Sequence, residues 1–117
     1  MKVNTLWRCI LLNSKHRRTD PSSDLYRAVL QLKSPEECYA FFEDLCTVAE
    51  LQAMEQRFEV AKLLNQGLIY SDILEKTGVS SATISRVNRC LNYGNDSYRT
   101  LLERLQALEE ADSEAQT

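Results

Sequence analysis

Tyr70-Ser71-Asp72-Ile73-Leu74-Glu75-Lys76-Thr77-Gly78-Val79-Ser80-Ser81-Ala82-Thr83-Ile84-Ser85-Arg86-Val87-Asn88-Arg89-Cys90-Leu91 reads as two short helices joined by a tight turn. Ile73 and Leu74 give the first helix a face to bury. Gly78 permits the sharp change of direction, because a residue without Cβ enters the left-handed region at no steric cost. Val79 plugs the angle between the helices, and Ser80 caps the second through N–H groups of its first turn. Ile84, Val87 and Leu91 then recur at i, i+3 and i+7 and face inward. Ser81, Ala82, Ser85, Arg86 and Arg89 are left on or near the outward side. The pattern is that of a helix-turn-helix spanning about residues 70–92.

The outward side suits the major groove of double-stranded DNA. Small residues at the helix start allow close approach, Ser80, Ser81, Thr83 and Ser85 supply hydroxyls, and Ala82 presents a methyl group. Arg86 and Arg89 are expected to contact phosphates or guanine edges, and Lys76, before the turn, the DNA backbone. Between Ser80 and Tyr93 there are two positive charges and no negative ones. A plain helical hairpin with solvated Ser and Arg side chains would need only one of these features; here the turn, the small-residue start, the apolar interior and the basic face coincide.

Outward from this stretch the chain reads as further helices. Asp20-Pro21 has the form of an N-cap followed by proline at the first helical position, where its missing N–H costs nothing. Leu25, Ala28, Val29 and Leu32 follow at helical spacing. Ser34-Pro35-Glu36-Glu37 reads as a capping box opening a helix whose stripe is Cys38, Phe41, Phe42 and Leu45. Thr47-Val48-Ala49-Glu50 is a second box. The long helix it opens is expected to run to about Gln66, with Leu51, Met54, Phe58, Ala61 and Leu64 as its apolar face and Gly67 at C′. Past Gly94, Asn95 or Asp96 can cap a last helix carrying Tyr98, Leu101, Leu102, Leu105 and Leu108, and the polar residues from about Ala111 are expected to fray. No strand is needed, so the expectation is an all-α fold of about six helices.

Composition narrows the function. The 117 residues are one domain's worth, with 44% hydrophobic and 26% charged residues and no apolar run of membrane-spanning length. The expected organisation is a basic extension over residues 1–19, a helical domain over 20–110 and an acidic tail over 111–117. The net charge of −3 argues against nucleic acid at first sight. Its distribution argues otherwise, since Lys2, Arg8, Lys15, Arg17 and Arg18 precede any acid and Glu109, Glu110, Asp112 and Glu114 crowd the far end. The cysteines Cys9, Cys38, Cys46 and Cys90 form no Cys-x-x-Cys pair, so neither zinc nor a disulfide framework is expected and no metal is called for. His16 is the single histidine and has no orienting partner, which with the lack of a nucleophile–base pair or phosphate-binding glycine loop excludes an enzyme. The first 18 residues make a poor secretion signal, and a cytoplasmic, nucleoid-associated protein is expected.

Phe41-Phe42-Glu43-Asp44-Leu45-Cys46-Thr47-Val48-Ala49-Glu50-Leu51, Gln56-Arg57-Phe58-Glu59-Val60-Ala61, Thr77 to Arg86, and Arg89-Cys90-Leu91-Asn92-Tyr93-Gly94-Asn95 together resemble the YerC/YecD group of Trp-repressor-related proteins. The resemblance covers roughly Leu25 to Leu105. It implies an intertwined homodimer whose two helix-turn-helix units enter successive major grooves of a roughly palindromic operator, about one helical turn apart, a geometry for which the Trp repressor is a standard example. The stripes of the first, second and last helices are what a partner chain could cover.

The resemblance also implies an effector site between the long helix and the recognition helix. Thr47, Arg57, Thr83 and Arg86 match the family's pocket residues. The glycine that follows the recognition-helix arginine in the Trp repressor is Val87 here, and a serine further on is Cys90. A branched side chain where backbone had to approach the indole costs roughly 1–3 kcal/mol, and since 1.4 kcal/mol is tenfold, tryptophan binding is weakened about 5- to 150-fold. Tryptophan is therefore not expected as a co-repressor, no other cofactor is called for, and the effector, if there is one, is left open. The leading reading is a sequence-specific DNA-binding regulator acting as a homodimeric repressor. The alternative is a protein-interaction module within a transcription or recombination assembly, with weak DNA affinity of its own.

Overall fold

The computed structural model describes residues 20–116. The expected basic arm, with Cys9 and His16, lies outside the described residues. Among those described there are six helices and no strand: α1 (Asp24–Val29), α2 (Pro35–Leu45), α3 (Val48–Asn65), α4 (Tyr70–Thr77), α5 (Ser81–Tyr93) and α6 (Ser97–Ala115). The all-α expectation holds. The chain divides between Phe42 and Glu43 into two compact units.

In the first unit the opening of α1 differs from expectation. Asp20 does not cap the helix; its Oδ1 accepts the Ser22 N–H at 2.9 Å and its carbonyl accepts the Ser23 N–H at 2.9 Å. These bonds close a turn before α1, and the Ser22 backbone N–H is the main cause that holds the Asp20 carboxyl below its ordinary value. Asp followed by Pro is as good a turn opening as a helix opening, because Pro presets φ for the second turn position. The helix starts only after Ser23, and Leu32 falls beyond its end. At α2 one half of the expected box forms, with Ser34 Oγ accepting the Glu37 N–H at 3.1 Å. Phe41 and Phe42 meet edge to face at 5.4 Å. Neither α1 nor α2 contains a buried residue.

The second unit holds the core. Thr47 and Glu50 complete their capping box: Thr47 Oγ1 accepts the Glu50 N–H at 3.1 Å and Glu50 Oε1 accepts the Thr47 N–H at 2.9 Å. The Thr47 backbone N–H, and then its side chain, hold the exposed Glu50 carboxyl below its ordinary value. A depressed folded value means that this contribution is complete above the ordinary Glu range and is lost as pH falls through the folded value. The Thr47 amide proton shift, followed by NMR, should titrate with a midpoint below the ordinary Glu value, and Glu50→Gln should abolish that titration.

At its other end α3 closes with paired bonds, Gly67 N–H to Leu64 O at 3.0 Å and Leu68 N–H to Leu63 O at 3.2 Å, which is the Schellman arrangement. Its buried face matches the expected one only in part, at Ala61 and, at the edge of the core, Leu64. Val60, Ala61 and Leu63 are buried, whereas Met54 is exposed and Leu51, Phe58 and Leu64 are half-buried. Only the C-terminal half of α3 is enclosed, because α4 and α5 pack there, and their position selects which residues of the stripe lose water.

The core cluster joins Val60, Ala61 and Leu63 of α3 to Ile73 of α4, Val79 of the turn, and Ile84 and Val87 of α5, with Leu64, Leu68 and Tyr98 against its edge. Ile73 is fully buried but Leu74, expected beside it, is 38% exposed. Neighbouring helical residues stand about 100° apart, so a helix of 8 residues lying on one support can bury only one of the two. Thr77 Oγ1 donates to Ile73 O at 2.7 Å and accepts the Val79 N–H at 3.3 Å, tying the turn to α4. Gly78 has φ +71°, and a Cβ built there would meet nothing within 4 Å. The requirement is for backbone conformation and not for space. Gly78→Ala should therefore lower unfolding free energy by about 1–2 kcal/mol, the cost of placing an L-residue in the left-handed region, as read by denaturant titration.

Two further differences concern α6. Asp96 takes the N-cap position, but at φ +61° and without a side-chain bond to the helix. Helix α6 also continues to Ala115 and so takes in residues expected to fray. Ala-Asp-Ser-Glu-Ala contains no breaker, and Ala and Glu propagate a helix readily.

Candidate nucleic-acid interface

Helix α5 is anchored from one side. Ile84 and Val87 belong to the core cluster, Leu91 is also buried, and the helix packs against α3, α4 and α6. Its start is held by Ser80, whose Oγ accepts the Thr83 N–H at 3.2 Å and lies 3.0 Å from Thr83 Oγ1. Both hydroxyls are thus engaged locally, and Thr83 is half-buried. Ser80, Ser81, Ala82, Ser85, Arg86 and Arg89 are exposed, as is Lys76 near the end of α4. At about 100° per residue, Ala82, Ser85, Arg86 and Arg89 centre on the side opposite Ile84, Val87 and Leu91. Among the described residues no carboxylate pairs with either arginine. The result is a capped helix, anchored along one side, presenting small, hydroxyl-bearing and cationic side chains with no acid among them.

One flank of α5 borders a cavity of about 280 Å³. Arg86, Val87 and Cys90 line it from α5, Met54, Arg57 and Phe58 from α3, and Tyr98 from α6. Four residues expected at an effector site, Arg57, Arg86, Val87 and Cys90, are therefore brought together. Thr47 and Thr83 do not line the cavity. Their hydroxyls are used where they stand, Thr47 in the α3 capping box and Thr83 with Ser80.

Sequence reasoning did not assign Met54, Phe58 and Tyr98 to this site. Met54 stands three residues before Arg57 and four before Phe58, a helical spacing legible in the sequence, but the arrival of Tyr98 depends on how α6 folds back. Its ring stands 6.2 Å from that of Phe58. The cavity combines two guanidinium groups with aromatic and thioether walls. Val87 forms part of its wall and is otherwise packed into the core cluster, at 1% exposed. Among the described residues there is no cluster of His, Cys, Asp and Glu that could hold a metal ion, and no helix is long and apolar enough to cross a membrane.

Comparison with known proteins agrees with this architecture. The profile of the Trp repressor protein family matches residues 22–106. An uncharacterized protein of Bacillus subtilis, YerC, is 54% identical over 85 residues, which are 73% of this chain and 82% of that one. A Trp operon repressor homolog of Chlamydia caviae is 30% identical over 83 residues, 70% of this chain and 82% of that one. The crystal structure of a TrpR-like protein from Eubacterium eligens superposes with a TM-score of 0.68 at 58% identity, covering 70% of this chain and 84% of that one. With the Gly78 turn, the inward Ile84, Val87 and Leu91 and the α3–α5 cavity all within the matched span, the chain belongs to the Trp repressor family, in its YerC/YecD group.

Proposed function

We propose that this chain is a sequence-specific DNA-binding transcriptional regulator that acts as a homodimeric repressor, with α5 as the recognition helix. The observation that carries the reading is the asymmetry of α5: Ile84, Val87 and Leu91 are buried on one side, and the opposite side is exposed, basic and free of acid. Ser81, Ala82 and Ser85 approach base edges, and Arg89 reads or clamps from the centre of the face. Lys76 meets a phosphate. Arg86 stands at the border of DNA face and cavity. The protein works in the cytoplasm, on the nucleoid, and blocks polymerase by occupying its operator.

The homodimer is supported by exposed apolar surface among the described residues. Leu25, Leu30 and Leu45 are exposed on or beside α1 and α2, and Leu101, Leu105 and Leu108 on α6. Phe58, Leu102 and Leu105 line a groove of about 460 Å³ between α3 and α6. A second copy would cover such stripes and place two recognition helices on half-sites about one helical turn apart. For the cavity beside α5, the branched Val87 in its wall, where the Trp repressor has glycine, supports control without tryptophan; its effector is either another small anionic molecule or none.

Selection of bound duplexes from a random pool, with and without tryptophan, tests the reading. The expected product is a two-fold-symmetric site with half-sites about 10 base pairs apart, unchanged by the amino acid, and calorimetry should show no micromolar tryptophan binding. A pool that never converges would defeat DNA recognition, and tryptophan-dependent selection would defeat only the reading that tryptophan is not the co-repressor.

A further inference from the structure

Where a helix ends, its last carbonyls lack intrahelical donors, and a cation placed there is favoured by the helix dipole. Helix α5 ends at Gly94, whose N–H bonds Cys90 O at 2.9 Å. A Cβ on Gly94 would lie 2.4 Å from Cys90 O, so the chain leaves the helix through a passage only glycine fits. Arg99, in the first turn of α6, then reaches back. Its Nε donates to Leu91 O at 3.3 Å, one Nη to Asn92 Oδ1 at 2.9 Å and the other to Asn65 Oδ1 at 3.3 Å. One guanidinium thus joins the end of α5 to the end of α3.

The acceptor on α5 is itself oriented. Asn92 Nδ2 donates to Asn88 O and to Asn88 Oδ1, each at 3.0 Å, which leaves its carbonyl oxygen for Arg99. The network runs from Asn65 through Arg99 and Asn92 to Asn88, along the flank of α5 away from the cavity. None of Ala82, Ser85 or Arg89 takes part in it. Helix α5 has 13 residues, so it is about 20 Å long, and a tilt of about 5° about its core-held middle moves each end by about 0.9 Å. That displacement takes a hydrogen bond from about 2.9 Å beyond bonding distance.

We infer that Arg99 is a positioning residue for DNA recognition: its three-way hydrogen bonding sets the pitch of α5 against α3 and thereby the register of the outward face. The inference rests on the proposed function, because it gives that face a target. Arg is suited to the role where Lys is not, since only a planar fork serves three separate acceptors at fixed angles.

The test uses the full-length protein, a duplex selected by the wild-type chain and a scrambled duplex of equal length. Arg99→Ala should weaken binding to the selected duplex about tenfold, by loss of charge-assisted bonds. Scrambled-duplex affinity and the salt slope should not change, because no phosphate contact is removed. Arg99→Lys should recover only part of the loss. Asn92→Ala, which keeps the arginine, should repeat its direction, and the double variant should lose little more than Arg99→Ala alone. Thermal melts confirm that each variant is folded at the assay temperature, and Asn92→Ala serves alone if Arg99→Ala is not. Unchanged selectivity in folded variants overturns the inference, as does an equal loss on both duplexes with a shallower salt slope, which would make Arg99 a phosphate contact. Failure of the wild-type chain to select any duplex defeats the DNA reading itself and is seen before a variant is made.

Discussion

Ile84→Ala should lower the free energy of unfolding by about 2–5 kcal/mol, the range for emptying a fully buried aliphatic site. Ile84 is 0% exposed and lies where α5 meets the core residues of α3, α4 and the Val79 turn. Its loss leaves a cavity at the joint that fixes the angle of the helix-turn-helix. A domain of this kind has about 5–15 kcal/mol in total, so the variant should show a much lower urea midpoint at an unchanged slope. Ser85→Ala, one residue on and exposed, is the control and should stay within about 0.5 kcal/mol. A midpoint for Ile84→Ala that coincides with that of Ser85→Ala would mean that the core is not where the packing places it.

Arg89→Ala should weaken binding to a selected operator by about 5- to 150-fold, equivalent to about 1–3 kcal/mol for one well-made base contact. Arg89 is exposed, unpaired with any described carboxylate, and opposite the buried seam of α5. If it reads a guanine, the variant should lose discrimination at one base position. If it clamps a phosphate, binding should fall on all sequences and the salt slope should drop by about 0.9. Unchanged affinity would remove Arg89 from the interface. Arg86→Ala is less decisive, because Arg86 also lines the cavity with Arg57 and both functions would respond.

Charge shows how a whole-chain quantity misleads. The net −3 includes the acids of α6 and of the scaffold helices, whereas α5 carries Arg86 and Arg89 and no acid. A groove responds to the local field over a Debye length of about 8 Å and not to the sum.

What the sequence determined by itself was whatever depends on near neighbours in the chain. The Thr47–Glu50 box, the Ser80 cap, the left-handed Gly78 and the inward spacing of Ile84, Val87 and Leu91 are each decided within a few residues. Where one local signal served two structures the reading failed, as at Asp20-Pro21, which opens a turn and not α1. Tertiary structure decided which apolar residues are buried, choosing Ile73 over its neighbour Leu74 and Val60 over Met54 of the same helix, because burial depends on where the packing partner lies. It also decided the cavity shared by α3, α5 and α6, and the Arg99 bonds to Asn65, a residue 34 positions away. No periodicity encodes those contacts; they exist only once Gly94 and Asp96 have turned α6 back along α3 and α5.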